Sequence, residues 1–338
     1  MATDLKNVWY VAAWEWEIAG EALLARTLLG VPRVMFRRSD GGYALLRDRC
    51  PHRFAPLSLG RRTGDVIACR YHGLEFGPDG RCVHHPAGDR LPPRAGVESL
   101  PVVARHGLLW FWPGEAARAD PATIPDFSFL DGQNVRRCYS HFRANYELLA
   151  DNLMDLSHVD FLHRDTFQTT GTHAQSKHEV RDGAGETLWN TWLVPDVRRY
   201  PILDAHFRDG EKIDQLTEMR WDPPASMRLR IAWRPAAGAP GAARFEVVNP
   251  HIVTPETAST SHYFWSCEPT DADEAFARRV FEEEDGPMLE AAQSRMGGDD
   301  FWNLEPLVLR ADVGAIRARR RLERLRRTES GAAPGGTD

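Results

Sequence analysis

Cys50-Pro51-His52 is followed, after a gap of sixteen residues, by Cys69-Arg70-Tyr71-His72. The two loops together offer two thiolates and two imidazoles. A 2Fe–2S cluster of the Rieske type takes this set, with two Cys on one iron and two His on the other, and it has a higher potential than an all-Cys cluster. The pattern therefore predicts a Rieske cluster on Cys50, His52, Cys69 and His72, in a protein that handles single electrons.

Two other uses of these cysteines fit the sequence less well. A structural zinc normally takes ligand pairs two to four residues apart, whereas one residue separates Cys50 from His52 and each pair mixes Cys with His. A disulfide framework fits less well, because five Cys in 338 residues are sparse and odd in number. Cys82, Cys138 and Cys267 are interpreted as small buried hydrophobic residues.

Composition indicates a cytoplasmic enzyme. The hydrophobic fraction of 42% is enough for packed cores, and the net charge of −6 gives no reason to expect nucleic acid or a membrane surface as a partner. Neither a signal peptide nor a run of about 18 apolar residues is present in the sequence. The Gly- and Pro-rich tail at 330–338 is expected to be disordered.

The chain divides into two regions. Residues 1–113 contain short apolar runs broken by Gly, Pro and Asp, which predicts an all-β domain with a hairpin at Asp79-Gly80. Residues 114–329 are expected to form a second domain. Its predicted strands are Arg136–Phe142, Leu188–Val194, Met227–Trp233, Phe245–Val253 and Ser261–Cys267, and its predicted helices cover about 146–163, 273–295 and 306–327.

A second group of polar residues lies in the first of these helices. Asp151, Asp155 and His158 are spaced to share one helix face, but His163 would lie about 140° from His158 on an ideal helix. A π-bulge or a helix end would bring the two His together. Two His and one carboxylate form the facial triad of non-haem Fe(II) oxygenases, and the best distant carboxylate lies within 282–285.

Over nearly its full length the chain resembles the Rieske non-haem iron oxygenases, in particular the aromatic demethylase branch that includes the vanillate O-demethylase and dicamba monooxygenase oxygenase components. The matching segments are the two cluster loops, Asn7–Ala12, Asp151–His163, His251–Thr257 and His262–Trp265. The resemblance implies an α+β chain: an N-terminal all-β Rieske domain, then a helix-grip catalytic domain with an antiparallel sheet around a long helix.

The resemblance also implies the site residues. His158, His163 and Asp285 would hold a mononuclear Fe(II), and Asn152 would lie near its open face. Asp155 would bridge an iron-ligand His to a cluster-ligand His of a neighbouring subunit. Because Pro287 interrupts the helix beside Asp285, Glu284 is kept as the alternative carboxylate.

The resemblance implies the partners as well. O₂ would be a co-substrate, and a ferredoxin, a flavin reductase or both would supply electrons from NAD(P)H. The chain would form a head-to-tail trimer in which electrons pass between subunits. The Arg-rich segment Arg317–Arg321 could dock an acidic ferredoxin or reductase, but a solvated helix face is the preferred interpretation.

The substrate is expected to be a small aromatic molecule. Leu229, His251, Phe276 and Arg230 are candidate pocket residues. Arg228 and Arg230 share one strand face; an inward Arg would favour an acidic substrate, but a solvated strand face is the preferred interpretation. The leading expectation is O-demethylation of an aromatic acid with release of formaldehyde. Hydroxylation without dealkylation is the second hypothesis, and a Rieske electron carrier without chemistry of its own is the third.

Overall fold

The computed structural model describes residues 4–86, 88, 94–167, 171–173, 176–199, 203–236 and 243–331. They form two compact units. The N-terminal unit comprises Lys6–Asp131 with Thr254–Thr257, and the C-terminal unit comprises Gly132–Val253 and Ala258–Asp338 with Met1–Leu5. Most of the predicted tail, 332–338, lies outside the described residues. No helix in the described part of the chain is long and apolar enough to cross a membrane.

The N-terminal unit is built from ten short strands in three antiparallel sheets. In chain order these are β1 (Tyr10–Trp14), β2 (Leu24–Leu28), β3 (Val31–Arg37), β4 (Tyr43–Arg47), β5 (Arg61–Thr63), β6 (Val66–Ala68), β7 (Glu75–Phe76), β8 (Cys82–His84), β9 (Val102–Arg105) and β10 (Leu108–Phe111). The sheets have the strand orders β1-β10-β9, β2-β3-β4 and β5-β6-β7-β8. The predicted hairpin at Asp79-Gly80 joins β7 to β8.

Strand β3 shows why this unit is packed on both sides. Val34 and Phe36 belong to the hydrophobic core that also contains both cluster cysteines, whereas Met35 belongs to a second core with Tyr10. Successive side chains of a strand point to opposite faces, so an uninterrupted apolar run serves two cores at once.

The N-terminal unit continues to Asp131, beyond the predicted domain boundary at 113/114. The segment after Pro113 is held to the strands by side chains that donate to its backbone. Trp9 Nε1 donates to the carbonyl of Asp120 (3.0 Å), and Arg105 Nη1 donates to the carbonyl of Pro121 (2.9 Å). These contacts link residues distant in sequence, which a composition change at Pro113 does not reveal.

The C-terminal unit is a seven-stranded antiparallel sheet with helices. Its strands are β11 (Arg136–Phe142), β12 (Lys177–Asp182), β13 (Leu188–Val197), β14 (Ile213–Asp222), β15 (Ser226–Pro235), β16 (Phe245–Thr257) and β17 (Thr260–Cys267), in the order β11-β17-β16-β15-β14-β13-β12. Its helices are α1 (Tyr146–Met154), α2 (Arg164–Phe167), α3 (Asp271–Arg278), α4 (Gly286–Met296) and α5 (Val313–Glu329), with a π-helix at Arg279–Asp285 between α3 and α4. This architecture confirms the predicted fold class.

Two predicted helices differ from those observed. The run predicted over 146–163 is α-helical only to Met154, because the Asp155 carboxylate accepts hydrogen bonds from the backbone N (2.7 Å) and Oγ (2.9 Å) of Ser157 and turns the chain. Consequently Asp155 and His158 do not continue the helix face of Asp151. The helix predicted from Pro306 begins only at Val313.

Candidate active site

The two cluster loops have the same backbone hydrogen bonds despite their different spacing. The N–H of Cys50 donates to the carbonyl of Ala55 (2.8 Å), and the N–H of Cys69 donates to that of Leu74 (2.8 Å). Four residues after each cysteine, Phe54 and Gly73 have positive φ, +61° and +72°. At residue 73 a side chain would also meet Pro86, since a Cβ there would lie 2.9 Å from its Cγ.

The four side chains of these loops are arranged in two layers. Cys50 and Cys69 are buried, whereas His52 and His72 are exposed with ring centroids 4.4 Å apart. Burial and a hydrogen bond with Cys69 raise the pKa of the Cys50 thiol. Two thiols below and two imidazoles above fit a cluster with two Cys on one iron and two His on the other.

The second site lies where α1 ends. His158 is in a 3₁₀ turn, Ser157–Asp160, and His163 directly precedes α2, so a helix end brings the two rings together. Their centroids are 5.1 Å apart. His158 Nδ1 hydrogen-bonds to the carbonyl of Asp155, which leaves Nε2 directed at the site.

The π-helix supplies two adjacent carboxylates, and they contact opposite sides of His163. Asp285 Oδ1 lies 3.1 Å from His163 Nε2 and 3.7 Å from His158 Nε2. Glu284 Oε2 instead accepts from His163 Nδ1 at 2.7 Å. One ligand atom each from His158, His163 and Asp285 lie within 4.8 Å of one another, and this donor set is that of a facial triad.

The sequence suggested that Pro287 interrupts the helix beside Asp285. In the structure Pro287 instead lies just after the junction of the π-helix and α4. Pro287 falls in the first turn of α4, where its missing N–H is tolerated, and the Gly286 N–H bonds back to the carbonyl of Phe281 to close the π-helix. Gly286 is required by space, since a Cβ there would lie 2.9 Å from Phe142 Cε1.

In the triad, burial acts to lower the pKa of each His, and the nearby carboxylates act to raise it. Burial lowers the pKa of His158, with Asp285 opposing. Burial also acts to lower the pKa of His163, but hydrogen bonds to Asp285 and Glu284 outweigh it and raise that pKa. Asn152, on α1, donates from Nδ2 to Asp285 Oδ1 (3.0 Å) and so orients the carboxylate.

A cavity of about 120 Å³ opens from the triad. Its wall is mainly apolar, with polar groups at a few points. The lining residues are Asn152, Leu153, Leu156, His158, Val159, His163, Phe167, Thr172, His173, Val197, Arg198, Gln215, Thr217, Met219, Leu229, Ile231, His251, Val280, Phe281 and Asp285. This composition suits an aromatic ligand oriented by a few polar contacts.

Two of the four predicted pocket residues line this cavity, Leu229 and His251. The prediction for Arg230 is wrong: alternation along β15 turns it away from Leu229, and it pairs at 2.7 Å with both Glu218 and Glu246. The prediction for Phe276 is also wrong, since it is 43% exposed and contacts the outer side of the site through Phe167, with ring centroids 5.4 Å apart.

His251 is the buried polar group in this wall with an unmet hydrogen bond. Its Nδ1 contacts the hydroxyl of Tyr263, and its Nε2 has no partner in the part of the chain that the structure describes. Burial, opposed by Asp285, lowers the pKa of His251 to about 4, so the ring is neutral near pH 7.

The Arg-rich helix α5 is not a solvated face throughout, as the sequence suggested, because one of its Arg residues is buried. Arg319 is buried, with Nη2 2.6 Å from Asp151 and Nη1 3.0 Å from Glu147, both on α1. Arg317 and Arg321 both pair with Asp182.

Sequence reasoning missed the polar wall formed by His173, Gln215, Thr217 and Arg198. Gln215 and Thr217 lie on β14, which was not predicted, because polar residues occupy inward positions where a strand pattern should be apolar. From Ile213 to Met219 buried and half-buried side chains do alternate, but the polar residues at two of the inward positions remove the apolar alternation that would signal a strand.

Comparisons with known proteins agree with this architecture. A family model described as the Rieske 2Fe-2S domain matches residues 8–101, and one described as the vanillate O-demethylase oxygenase C-terminal domain matches residues 142–328. The chain is 36% identical to the toluene-4-sulfonate monooxygenase system iron-sulfur subunit of Comamonas testosteroni, covering 97% of this chain and 98% of that one.

Dicamba O-demethylase, oxygenase component, of Stenotrophomonas maltophilia is also 36% identical, over 97% of this chain and 99% of its own. The crystal structure of dicamba monooxygenase bound to dicamba superposes with a TM-score of 0.85 at 36% identity, covering 98% of this chain and 100% of that one. These matches confirm the predicted Rieske cluster and mononuclear iron as cofactors and exclude a bare electron carrier. The chain belongs to the Rieske non-haem iron oxygenases, as an oxygenase component of the vanillate O-demethylase type.

Proposed function

We propose that this oxygenase O-demethylates an aromatic acid, converting an aryl methyl ether to a phenol and formaldehyde. The observation that carries the proposal is the cavity, in which both Nε2 atoms and Asp285 of the triad face an apolar chamber with a few polar groups. A flat ring fits such a chamber, and the polar groups fix which of its carbons lies at the triad.

In this proposal Cys50, His52, Cys69 and His72 hold the cluster, and His158, His163 and Asp285 hold the mononuclear iron. When bound, the cluster would supply electrons that a separate reductase takes from NAD(P)H and passes on directly or through a ferredoxin, and the iron would activate O₂. The protein's part is to fix ligand orientation and exclude water. Glu284 holds the ring of His163 through Nδ1, as partners of metal-ligating His normally do.

His251 has the role of a hydrogen-bond donor to the substrate. We assign the Tyr263 hydroxyl as the donor to Nδ1, because the buried hydroxyl then has an acceptor, and this assignment puts the ring proton of the neutral imidazole on Nε2. A buried donor without a partner carries a desolvation cost, which a substrate oxygen would offset on binding.

A single turnover tests the reaction. The reduced, iron-loaded protein is mixed with O₂ and a panel of paired methoxylated and methylated benzoates, and formaldehyde and hydroxylated products are assayed together. Formaldehyde with an equal amount of the matching phenol supports O-demethylation. A hydroxylated product without formaldehyde would establish hydroxylation without dealkylation, the second candidate. That candidate is favoured by the Comamonas relative, whose named substrate carries no methoxy group.

We also propose that the chain assembles as a head-to-tail trimer, with Asp155 connecting the iron site of one subunit to the cluster of the next. The Asp155 carboxylate accepts one hydrogen bond at each oxygen, both from Ser157, and each oxygen can accept another. Light scattering gives the oligomeric state. Co-expression of a Cys50→Ser chain with a His158→Ala chain should restore turnover in mixed oligomers, whereas inactive mixed oligomers would contradict transfer between subunits.

A further inference from the structure

A buried amide contacts the end of α1, where the chain turns towards the iron site. Asn190 of β13 is fully buried, and its Nδ2 donates to the carbonyl of Met154, the last residue of α1. The last carbonyls of a helix have no partner within the helix, so Asn190 caps α1 from a distant strand. Gly314 of α5 leaves room for the amide, since a Cβ at residue 314 would lie 2.6 Å from Asn190 Nδ2.

His178 of β12 fixes the direction of this amide. Because the Met154 carbonyl can only accept a hydrogen bond, the amide turns its NH₂ group to it and its Oδ1 to His178 Nε2. His178 Nε2 therefore carries a proton and donates to Asn190 Oδ1. The imidazole lies flat against Trp192, with ring centroids 4.1 Å apart and an angle of 12° between the planes. Burial lowers the pKa of His178, although the hydrogen bond to Asn190 opposes it, so the ring is neutral near pH 7.

The backbone connects this network to the iron site. The carbonyl of Asp155, the residue after Met154, accepts from Nδ1 of His158. The N–H of Asp155 donates to the carbonyl of Asp151 (3.0 Å), so the peptide between Met154 and Asp155 is held at its N–H by α1 and at its C=O by Asn190. The orientation of this peptide sets the direction of the next carbonyl, and that carbonyl holds the His158 ring.

We propose that Asn190 and His178 are positioning residues for the iron site, which fix the peptide before Asp155 and thereby orient His158. This inference rests on the proposed function, in which His158 is an iron ligand. Without the His178 donor, the buried Oδ1 of Asn190 has no partner, and rotation of the amide to find one breaks its bond to Met154. Groups that hold the ligands of a metal in place affect its affinity commonly by tenfold or more.

The test is an anaerobic Fe(II) titration of the full-length protein with its cluster in place. His178→Phe keeps a flat ring against Trp192 but removes the Nε2 donor, and we expect about tenfold weaker iron binding. His178→Gln keeps an N–H donor at the same number of bonds from the backbone, and we expect affinity within about twofold of the native chain. Asn190→Leu should lose at least as much affinity as His178→Phe. The His178 variants keep the test decisive if loss of Asn190 disturbs folding, since His178 is only half-buried.

Val180→Ala is the matched control. Val180 lies two residues from His178 on the same face of β12, pairs with Asn190 in the strand register and has no polar side chain. It should bind iron as the native chain does, even if chemical denaturation shows it to be less stable.

Native iron affinity in His178→Phe, equal losses in His178→Phe and His178→Gln, or an equal loss in Val180→Ala would overturn the proposal. His158→Ala, titrated alongside, separates this inference from the proposed function. Iron retained in His158→Ala would contradict the proposed ligand set itself. Iron lost there but bound normally by His178→Phe would count against the positioning role alone.

Discussion

Glu284 Oε2 lies 2.7 Å from Nδ1 of His163, on the opposite side of the ring from Asp285. Two carboxylates adjacent in sequence can contact both sides of one imidazole because they lie at the end of a π-helix. One of them is thereby placed as a ligand and the other as the group that orients a ligand. Although burial acts to raise it, hydrogen bonds from Thr166 and His163 bring the pKa of Glu284 below its usual value, so the group is a permanent acceptor.

The different roles of Asp285 and Glu284 predict that their loss affects iron binding to different extents. Asp285→Ala should lose the mononuclear iron, whereas Glu284→Ala should keep the site but weaken its iron affinity about 10–100-fold. Iron titration of cluster-containing protein measures both. Glu283→Ala is the matched control, because Glu283 is exposed between the same neighbours. The visible spectrum of the cluster should be unchanged in all three; an iron-free Glu284→Ala with a normal Asp285→Ala would reverse the assignment.

The close approach of Gly286 to Phe142 predicts a steric effect. Gly286→Ala places a methyl group 2.9 Å from Phe142 Cε1 and should cost about 1–3 kcal/mol of unfolding free energy, with weaker iron binding because Asp285 is displaced. Chemical denaturation measures the first and iron titration the second. The double variant with Phe142→Leu should recover part of both losses, and strictly additive effects would show that the two side chains do not meet.

The buried contact of Arg319 with α1 predicts a large loss of stability. Arg319→Met leaves the half-buried Asp151 without its cation, although Glu147 keeps Arg326, and should cost about 3 kcal/mol by urea denaturation. Arg320, the next residue, is exposed. Arg320→Met should therefore change the free energy of unfolding by less than about 0.5 kcal/mol.

The contact between Arg319 and Asp151 also predicts how stability depends on pH. Burial raises the pKa of Asp151 to about 6 even with Arg319 beside it, and removing Arg319 raises that pKa further. A carboxyl whose folded pKa exceeds its unfolded pKa loses stability as pH rises through that interval. The deficit of Arg319→Met relative to the native chain should therefore be larger at pH 8 than at pH 5.5, and a deficit independent of pH would place the cost elsewhere.

The neutral ring of His251 predicts a flat pH dependence of binding. With its pKa lowered to about 4, the ring keeps the same charge from pH 6 to pH 8. The ratio of substrate dissociation constants for His251→Phe and the native chain, measured without O₂, should stay constant over this range. An ordinary His, with a pKa near 6.5, would change the ratio about fourfold between these limits.

The sequence was sufficient for the parts of the site that are local. Cys50, His52, Cys69 and His72 lie in two short loops, so their spacing indicates a cluster, whereas the iron-ligand role of His158 and His163 came from the family resemblance of a contiguous segment. The choice between Glu284 and Asp285 depends on a π-helix that no periodicity encodes. The polar wall was hidden because Gln215 occupies an inward strand position, and its partners His173 and Trp233 are distant in the chain.

Helix α5 shows the opposite case, in which a residue that the sequence suggests is exposed is buried in the structure. Its Arg residues read as a charged surface, because the acids they meet lie more than a hundred residues earlier. Only packing distinguishes Arg319, which is buried, from Arg320, which is exposed.

The contact between Arg319 and Asp151 also sets an order of events during synthesis. Asp151 lies beside Asn152, which orients Asp285, but its partner cation is translated 168 residues later. A nascent chain that has emerged only as far as α4 contains every triad ligand and still lacks the charge that neutralises the end of α1. Support of α1 at the iron site thus requires that α5 has been synthesised, and a chain truncated before α5 would present all the ligands on an unsupported helix.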